Sequence, residues 1–566
     1  MKRFKEILSN QKFIFWFITI SLIVTNVMMF FTESTSLLTR LVQIVLPFAI
    51  YWFVMTLGKK PGKMFWWLFI VAFYDAFEIV LLKLYGETPL AVDMLLNVTT
   101  TNVTEVNELL SNLLPAVLFA VILYMACIVL SIVSIRKKEP LDADYRKKQR
   151  KRSLVLLAVG VVMLIANYFV TPSFKLRNDV FPFNAAYNTG LAVQRVIKTS
   201  QYEETSRDFS YHATSALPDS VPQITVLIIG ETARADNWGI YDYERNTTPR
   251  LAAIDDLVVY RDAITMSNTT HKSVPLLLSP VASEAWDSLY HRKGIISAFN
   301  EAGYRTAYYS NQRRNHSFID FFGEEAQDVV FTKDSVAITE NVSDDALKGL
   351  VERRLAAYDG GRLLIVVHCY GSHFNYRDRY PASQAYFKPD NVLAAERSQR
   401  DKLINAYDNT IRFDDNLIAD IIDMLRTKDV PALLAFTSDH GEDIYDDERD
   451  RFLHASPLPT YYQLRVPLFM WSSPQYQERY PDKWQNLSTH RDIAVSTNMV
   501  LFHTLLDMSG VHTAYLKPTL ALSSDKYTPM MRRLFVTDHN DFITLDRAGL
   551  KPLDIEMFRK NHLQYP

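Results

Sequence analysis

Five apolar stretches crowd into the first 170 residues of this 566-residue chain, and no run of that length follows them. Segments 12–31, 40–57, 64–84, 114–135 and 153–170 each hold roughly 17–22 residues, enough for an α-helix to cross the hydrocarbon of a bilayer. A chain built this way cannot fold as one soluble globule. It must divide into a five-helix transmembrane domain, 1–170, and a separate part beyond it. Charges are scarce inside the spans. Asp75 and Glu78 are the exceptions, and an intramembrane carboxylate is a functional candidate by default; the competing reading gives them a packing or interfacial role.

Basic residues fix the expected orientation. Lys2, Arg3 and Lys5 precede the first span, Lys59, Lys60 and Lys63 fill the second loop, and the fourth loop holds Arg136, Lys137, Lys138 and the run 146–152. Loops 32–39 and 85–113 are nearly free of Lys and Arg. By the positive-inside rule the N-terminus is cytoplasmic, and five crossings put the C-terminal part outside. No cleaved signal peptide is expected, because the first span is long and no small-residue cleavage site follows it. The net charge of −2 gives no sign of nucleic-acid binding, so the run 146–152 reads as a membrane anchor. The two cysteines, Cys127 in the fourth span and Cys369 beyond the membrane, cannot pair across this topology. The outer part must rely on its own core, which about 350 residues supply easily.

Residues 171–217 are mixed and poorly periodic, which predicts a bridge to a domain at 218–566. Segment 223–230 is a β-branched run closing on Gly, the pattern of a buried parallel strand. Similar runs occur at 306–309, 362–367, 432–437 and 466–471, with helical stretches such as 400–426 between them. This alternation predicts a doubly wound α/β sheet whose ligands sit at the carboxyl ends of its strands.

The chemistry-bearing residues fall at those ends. The first strand runs into Glu231, and the fourth into Asp439-His440-Gly441. Carboxylate and imidazole side by side suit Zn²⁺ or Mn²⁺ better than Mg²⁺ or Ca²⁺. A third ligand at Glu231 would complete the pattern of a catalytic zinc site. Thr269 and Thr270 stand at the start of a helix. Either they only cap it, or one presents a hydroxyl where the helix dipole favours an anion.

Taken together, the ordered stretches 226–234, 245–251, 270–275, 371–373, 407–410 and 438–442, behind five spans, resemble the phosphoethanolamine transferases of Gram-negative envelopes. That family includes lipid A-modifying and colistin-resistance enzymes. Its soluble part is similar to the alkaline phosphatase and sulfatase superfamily, an α/β/α sandwich. The resemblance implies an inner-membrane enzyme with a periplasmic catalytic domain. Its donor would be phosphatidylethanolamine, its acceptor lipid A or another envelope glycan, and its cofactor zinc, with one firm site and room for a second. Glu231, Asp439 and His440 match the zinc ligands, and Thr270 the zinc-touching nucleophile that forms a covalent phosphothreonine. His373 and His454 match histidines that contact the phosphoryl group or a second metal, and one of them protonates the leaving alcohol. Asn311 matches a phosphoryl-binding Asn. Asn97, Thr101 and Glu105, spaced i, i+4 and i+8, match residues that meet the ethanolamine end of the donor; on a helix they share one face.

Two departures stand out. Where the lipid A enzymes carry cysteines around the nucleophile, this chain has Ser267, Asn268 and Leu276, which leaves the acceptor open. The family's phosphoryl-site Lys has no counterpart in 310–316, where Arg313 and Arg314 are the available cations. A phosphoglycerol transferase of the lipoteichoic acid synthase type shares the spans and the threonine, but the Asn97/Thr101/Glu105 face favours the ethanolamine reading. A true sulfatase is disfavoured, since no Cys or Ser followed by x-Pro-x-Arg stands at the nucleophile position. A non-catalytic envelope protein need not have kept every ligand.

Overall fold

A computed structural model describes every residue except 1–7, 33–34, 86–89, 101–102, 219–220, 338–339, 393–394 and 566; for 84–85, 97–100 and 103–112 it describes the backbone alone. The chain forms two compact units, one mostly of Met1–Thr101 and Leu109–Arg195, the other mostly of Val196–Glu448 and Phe452–Pro566.

The first unit is helical. Helices α1 (Gln11–Ser21) and α2 (Val24–Thr32) make one apolar run, followed by α3 (Leu37–Met55), α4 (Pro61–Trp67), α5 (Phe69–Tyr85), α6 (Val92–Thr100), α7 (Val103–Arg136), α8 (Ala143–Val170) and α9 (Phe183–Ser200). Among the described residues, four segments are long and apolar enough to cross a membrane: Gln11–Thr32, Leu37–Met55, Leu113–Arg136 and Ala143–Val170. The expected third span is a bent pair, Pro61–Trp67 and Phe69–Lys83, broken by 68°, so the count reaches five only if that pair is one span. Asp75 and Glu78 are fully buried, which removes the interfacial reading. Glu78 accepts the N–H of Leu90 at 2.9 Å, and Thr25 donates to the Asp75 carbonyl at 3.2 Å. The supposedly shapeless bridge 171–217 contains the 18-residue α9, tied to α6 by a buried Arg195–Asp93 ion pair at 3.3 Å. Asn97 lies in α6 and Glu105 in α7; Thr101 lies outside the described residues, as do the side chains of the other two.

The second unit is built on a seven-stranded sheet: β1 (Gln223–Gly230), β2 (Leu257–Val259), β3 (Arg305–Ser310), β4 (Asp328–Phe331), β5 (Arg362–His368), β6 (Ala432–Ser438) and β7 (Leu468–Ser472), in the order β2-β7-β6-β1-β5-β3-β4. The five from β6 to β4 are parallel. The expected fifth strand, β7, instead pairs antiparallel with β6 and β2. Every residue of β1 is buried, as a strand covered on both faces requires. Leu227 and Ile229 pack with Val274 and Leu277 of α10 (Thr270–Leu277) and with the helix Thr497–Met508. The alternate residues face the other side, where α11 (Asp345–Ala356) and α12 (Arg400–Arg426) lie against β3 and β6.

Close approach of helices in the first unit rests on Gly62, whose N–H donates to Ser134 at 3.1 Å. A Cβ there would fall 2.1 Å from the Ser131 carbonyl oxygen. Small residues at helix contacts allow this approach. Gly62→Leu is therefore expected to destabilise the helical unit by about 1–3 kcal/mol, the usual cost of overpacking, seen as a lower melting temperature of the purified protein in detergent.

Candidate active site

The central strands β6, β1 and β5 end side by side, and their following loops supply the polar cluster. Glu231 follows β1 directly, and Asp439 and His440 follow β6; all three are buried. Thr270 is the first residue of α10, behind its N-cap Thr269. Its Oγ1 donates to Glu231 Oε1 at 3.0 Å and lies 3.1 Å from His440 Nε2. His440 Nε2 is 3.2 Å from Asp439 Oδ2 and 3.6 Å from Glu231 Oε1.

Four features fit a metal ion. Tetrahedral ligands at zinc distances of roughly 2.0–2.1 Å stand about 3.3–3.4 Å apart, close to the spacings of these four atoms. Asp439 Oδ2 is buried without a hydrogen-bond partner. Among the described residues no Lys or Arg bonds to Glu231 or Asp439. Burial, and then Asp439, hold the Glu231 carboxyl well above its ordinary range, so the cluster is short of positive charge. Finally, His440 Nδ1 is 2.9 Å from the Gly441 carbonyl, the arrangement in which Nδ1–H donates and Nε2 turns to the metal.

His373 and His454 join the same cluster. With Glu231 they form a second potential metal group beside Glu231, Asp439 and His440. The His454 ring centroid is 4.2 Å from that of His440 and 5.7 Å from that of His373. His454 Nδ1 sits 2.9 Å from Glu442, while His373 Nδ1 sits 2.7 Å from the Phe374 carbonyl. Burial lowers His440 and His454 to about 4, so both imidazoles are neutral at neutral pH. His373 is lowered too, by burial and then by His454, Arg379 and Lys333.

Hydrogen bonds hold these groups in register. Ser273 of α10 donates to the Asp439 carbonyl at 2.6 Å. Asn268 donates to the Ser456 carbonyl at 2.8 Å and accepts from the Ala455 N–H at 3.1 Å, which ties the loop before Thr270 to the loop carrying His454. Gly371 has φ +46°, and a Cβ there would lie 2.8 Å from the Glu231 carbonyl oxygen. Only glycine fits.

Asn311 takes a different place from the one expected. Its amide donates to Val342 and Asp344, its oxygen accepts from Thr332, and Asp344 in turn receives the N–H groups of Tyr370 and Gly371. Asn311 thus supports the His373 loop. Its neighbour Gln312 reaches the cluster, 3.4 Å from Glu231 Oε2. Arg313 bonds to the Val336 carbonyl, and Arg314 pairs with Asp334 and Glu324. The cations beside His373 are instead Lys333 and Arg379, both over the ring of Tyr370, on which His373 stacks. Sequence reasoning missed Gln312 and the orienting role of Glu442; the one available signal was polar residues placed directly after strands.

Comparison with known proteins agrees with this geometry. A model of the sulfatase family matches residues 223–511, half of the chain. The Kdo(2)-lipid A phosphoethanolamine 7''-transferase of Escherichia coli K12 is 28% identical over 386 residues, covering 65% of this chain and 64% of its own length. The phosphatidylethanolamine transferase Mcr-1 of Escherichia coli is also 28% identical, over 64% of this chain and 70% of its own. Among solved structures, the integral membrane lipooligosaccharide phosphoethanolamine transferase A of Neisseria meningitidis matches with a TM-score of 0.68 at 21% identity, covering 90% of this chain and 97% of that one. The zinc complex of the periplasmic domain of EptC from Escherichia coli matches with a TM-score of 0.53 at 23% identity, over 59% of this chain and 95% of that one. These last two likenesses concern the fold. With its strand-end cluster and a family match spanning the whole sheet, the chain belongs to the sulfatase family, and the curated relatives that match it are phosphoethanolamine transferases.

Proposed function

We propose that this protein is a phosphoethanolamine transferase of the bacterial inner membrane, with its α/β domain in the periplasm. Its donor is phosphatidylethanolamine, and its acceptor a hydroxyl or phosphate of lipid A or another envelope glycan. The observation that carries this reading is the Thr270 hydroxyl, held at once by Glu231 and His440. A threonine that merely capped its helix would not sit inside a set of buried ligands. The relatives' names supply the group transferred.

Thr270 Oγ1 gives up its proton and attacks phosphorus, the bond to the diacylglycerol oxygen breaks, that oxygen takes up the proton, and phosphoethanolamine is left as an ester on Thr270. The acceptor then displaces it. Glu231, Asp439, His440 and Thr270 would hold one zinc ion, and Glu231, His373 and His454 offer a second place. When bound, zinc lowers the pKa of a coordinated hydroxyl and stabilises charged phosphoryl oxygens. His454 is better placed than His373 to relay that proton to the leaving oxygen, because its Nδ1 faces the Glu442 carboxyl, which can exchange a proton with it, whereas that of His373 faces only a carbonyl. Lys333 and Arg379 bring positive charge to the phosphoryl oxygens, with Gln312 as a neutral donor. Asn97, Thr101 and Glu105 remain the residues proposed to meet the ethanolamine ammonium, which a carboxylate would offset.

Thr270→Ala is expected to abolish phosphoethanolamine addition while three metal ligands and the fold survive. The measurement is mass spectrometry of lipid A and core oligosaccharide from cells expressing each form; product from the Ala variant would sink the assignment. Gly371→Ala should push on the Glu231 backbone and cost about 10–100-fold in metal affinity or activity. Metal content of the purified variant, read beside an unchanged circular dichroism spectrum, checks it.

A further inference from the structure

The long basic run is not a loop. Asp142 caps α8 by accepting the Tyr145 N–H at 2.7 Å, so residues 146–152 lie inside the helix. On a helix turning ~100° per residue, Lys147, Lys148, Lys151 and Arg152 fall within one arc of ~140°. All four are exposed. None is in an ion pair among the described residues, where this end of the unit shows only Lys137–Glu139. The other positions turn inward: Gln149 is buried, and Arg150 donates to the Thr56 carbonyl at 3.0 Å. The same arc continues beyond the charges as bare aliphatic surface, with Val155 61%, Val159 47% and Val162 65% exposed. A cationic stripe therefore runs directly into an aliphatic one, about 10 Å long from Val155 to Val162.

We infer that this face of α8 binds an anionic phospholipid of the cytoplasmic leaflet, its headgroup phosphate on the four cations and an acyl chain along the valines. The aromatic cluster marks the headgroup level. Trp16 donates to the Tyr145 hydroxyl at 2.8 Å and packs on Trp52, and Lys12 lies 4.8 Å from the Tyr145 ring centre. Trp and Tyr concentrate at that depth in a membrane. A nucleic acid would use the charges and leave the valines bare; a soluble protein would need acidic groups and could not follow the helix into hydrocarbon. A zwitterionic lipid offers the same chains with no net charge. Each Lys or Arg near an anionic surface is worth about fivefold in affinity, so the preference for anionic lipid is large. This site is separate from the proposed donor, which is zwitterionic.

The test uses purified full-length protein in detergent, incubated with dioleoyl phosphatidylglycerol or dioleoyl phosphatidylethanolamine. Retained lipid is counted by native mass spectrometry, and stabilisation by thermal melting. Phosphatidylglycerol should be retained at least about tenfold more at low salt, and the preference should vanish near about 1 M salt, where the Debye length is short. It should also vanish in the combined variant Lys147→Gln, Lys148→Gln, Lys151→Gln, Arg152→Gln. Equal retention of the two lipids by the unaltered protein, or an unchanged preference in the variant, overturns the inference. Should the variant not insert, the salt series decides alone: a preference that survives high salt also overturns it.

Discussion

The catalytic unit is organised around a debt of positive charge. Glu231 and Asp439 are buried within one small cluster, and among the described residues no Lys or Arg is bonded to either. Burying carboxylates uncompensated costs far more than a folded domain can spare. A cation would offset that charge, and the atoms that face one another are spaced close to the ligands of a tetrahedral ion. Everything nearby serves that point. The parallel centre of the sheet brings three strand ends together, α10 delivers Thr270 into the cluster, and Gly371 lets a second backbone pass against Glu231.

Bracing comes from hydrogen bonds rather than cross-links. Both cysteines are free and buried. Ser267 bonds to Thr269, and Asn268 links the loop before Thr270 to Ser456, Gln463 and Ala455. A buried, fully bonded amide can fix a loop as firmly as its local geometry allows. Arg234 plays the same part across the site, joining Asn237, the Glu442 carbonyl and Asp446. The domain thus holds a shaped site without a disulfide.

Much of this was legible from the residues. Strands β1, β3, β5 and β6 and helix α12 stand where β-branched runs and amphipathic spacing put them, because buried parallel strands leave a continuous apolar signal. Strands β2 and β4 were missed: three- and four-residue edge strands carry too little pattern. The direction of β7 was invisible, since an antiparallel partner at the sheet edge looks like any other apolar run. The third span differs for another reason: composition measures apolar length but not the bend after Trp67. Glu231, Asp439 and His440 were readable as metal candidates from their strand ends, whereas Thr270 rose above a helix cap only with the family pattern beside it, and the structure brings the four together. Asn311 shows the limit. Its residue type and position fitted a phosphoryl ligand, yet its hydrogen bonds are committed to neighbouring loops, and Gln312 is the amide that reaches the site.

The central claim is that Thr270 is the group that carries phosphoethanolamine. The direct measurement is peptide mass mapping of the purified protein after brief incubation with phosphatidylethanolamine and no acceptor. The account predicts a phosphoethanolamine ester on Thr270, absent when the metal is removed beforehand by a chelator and restored by zinc. Turnover of the donor with no adduct on Thr270, or an adduct on another side chain, would contradict it.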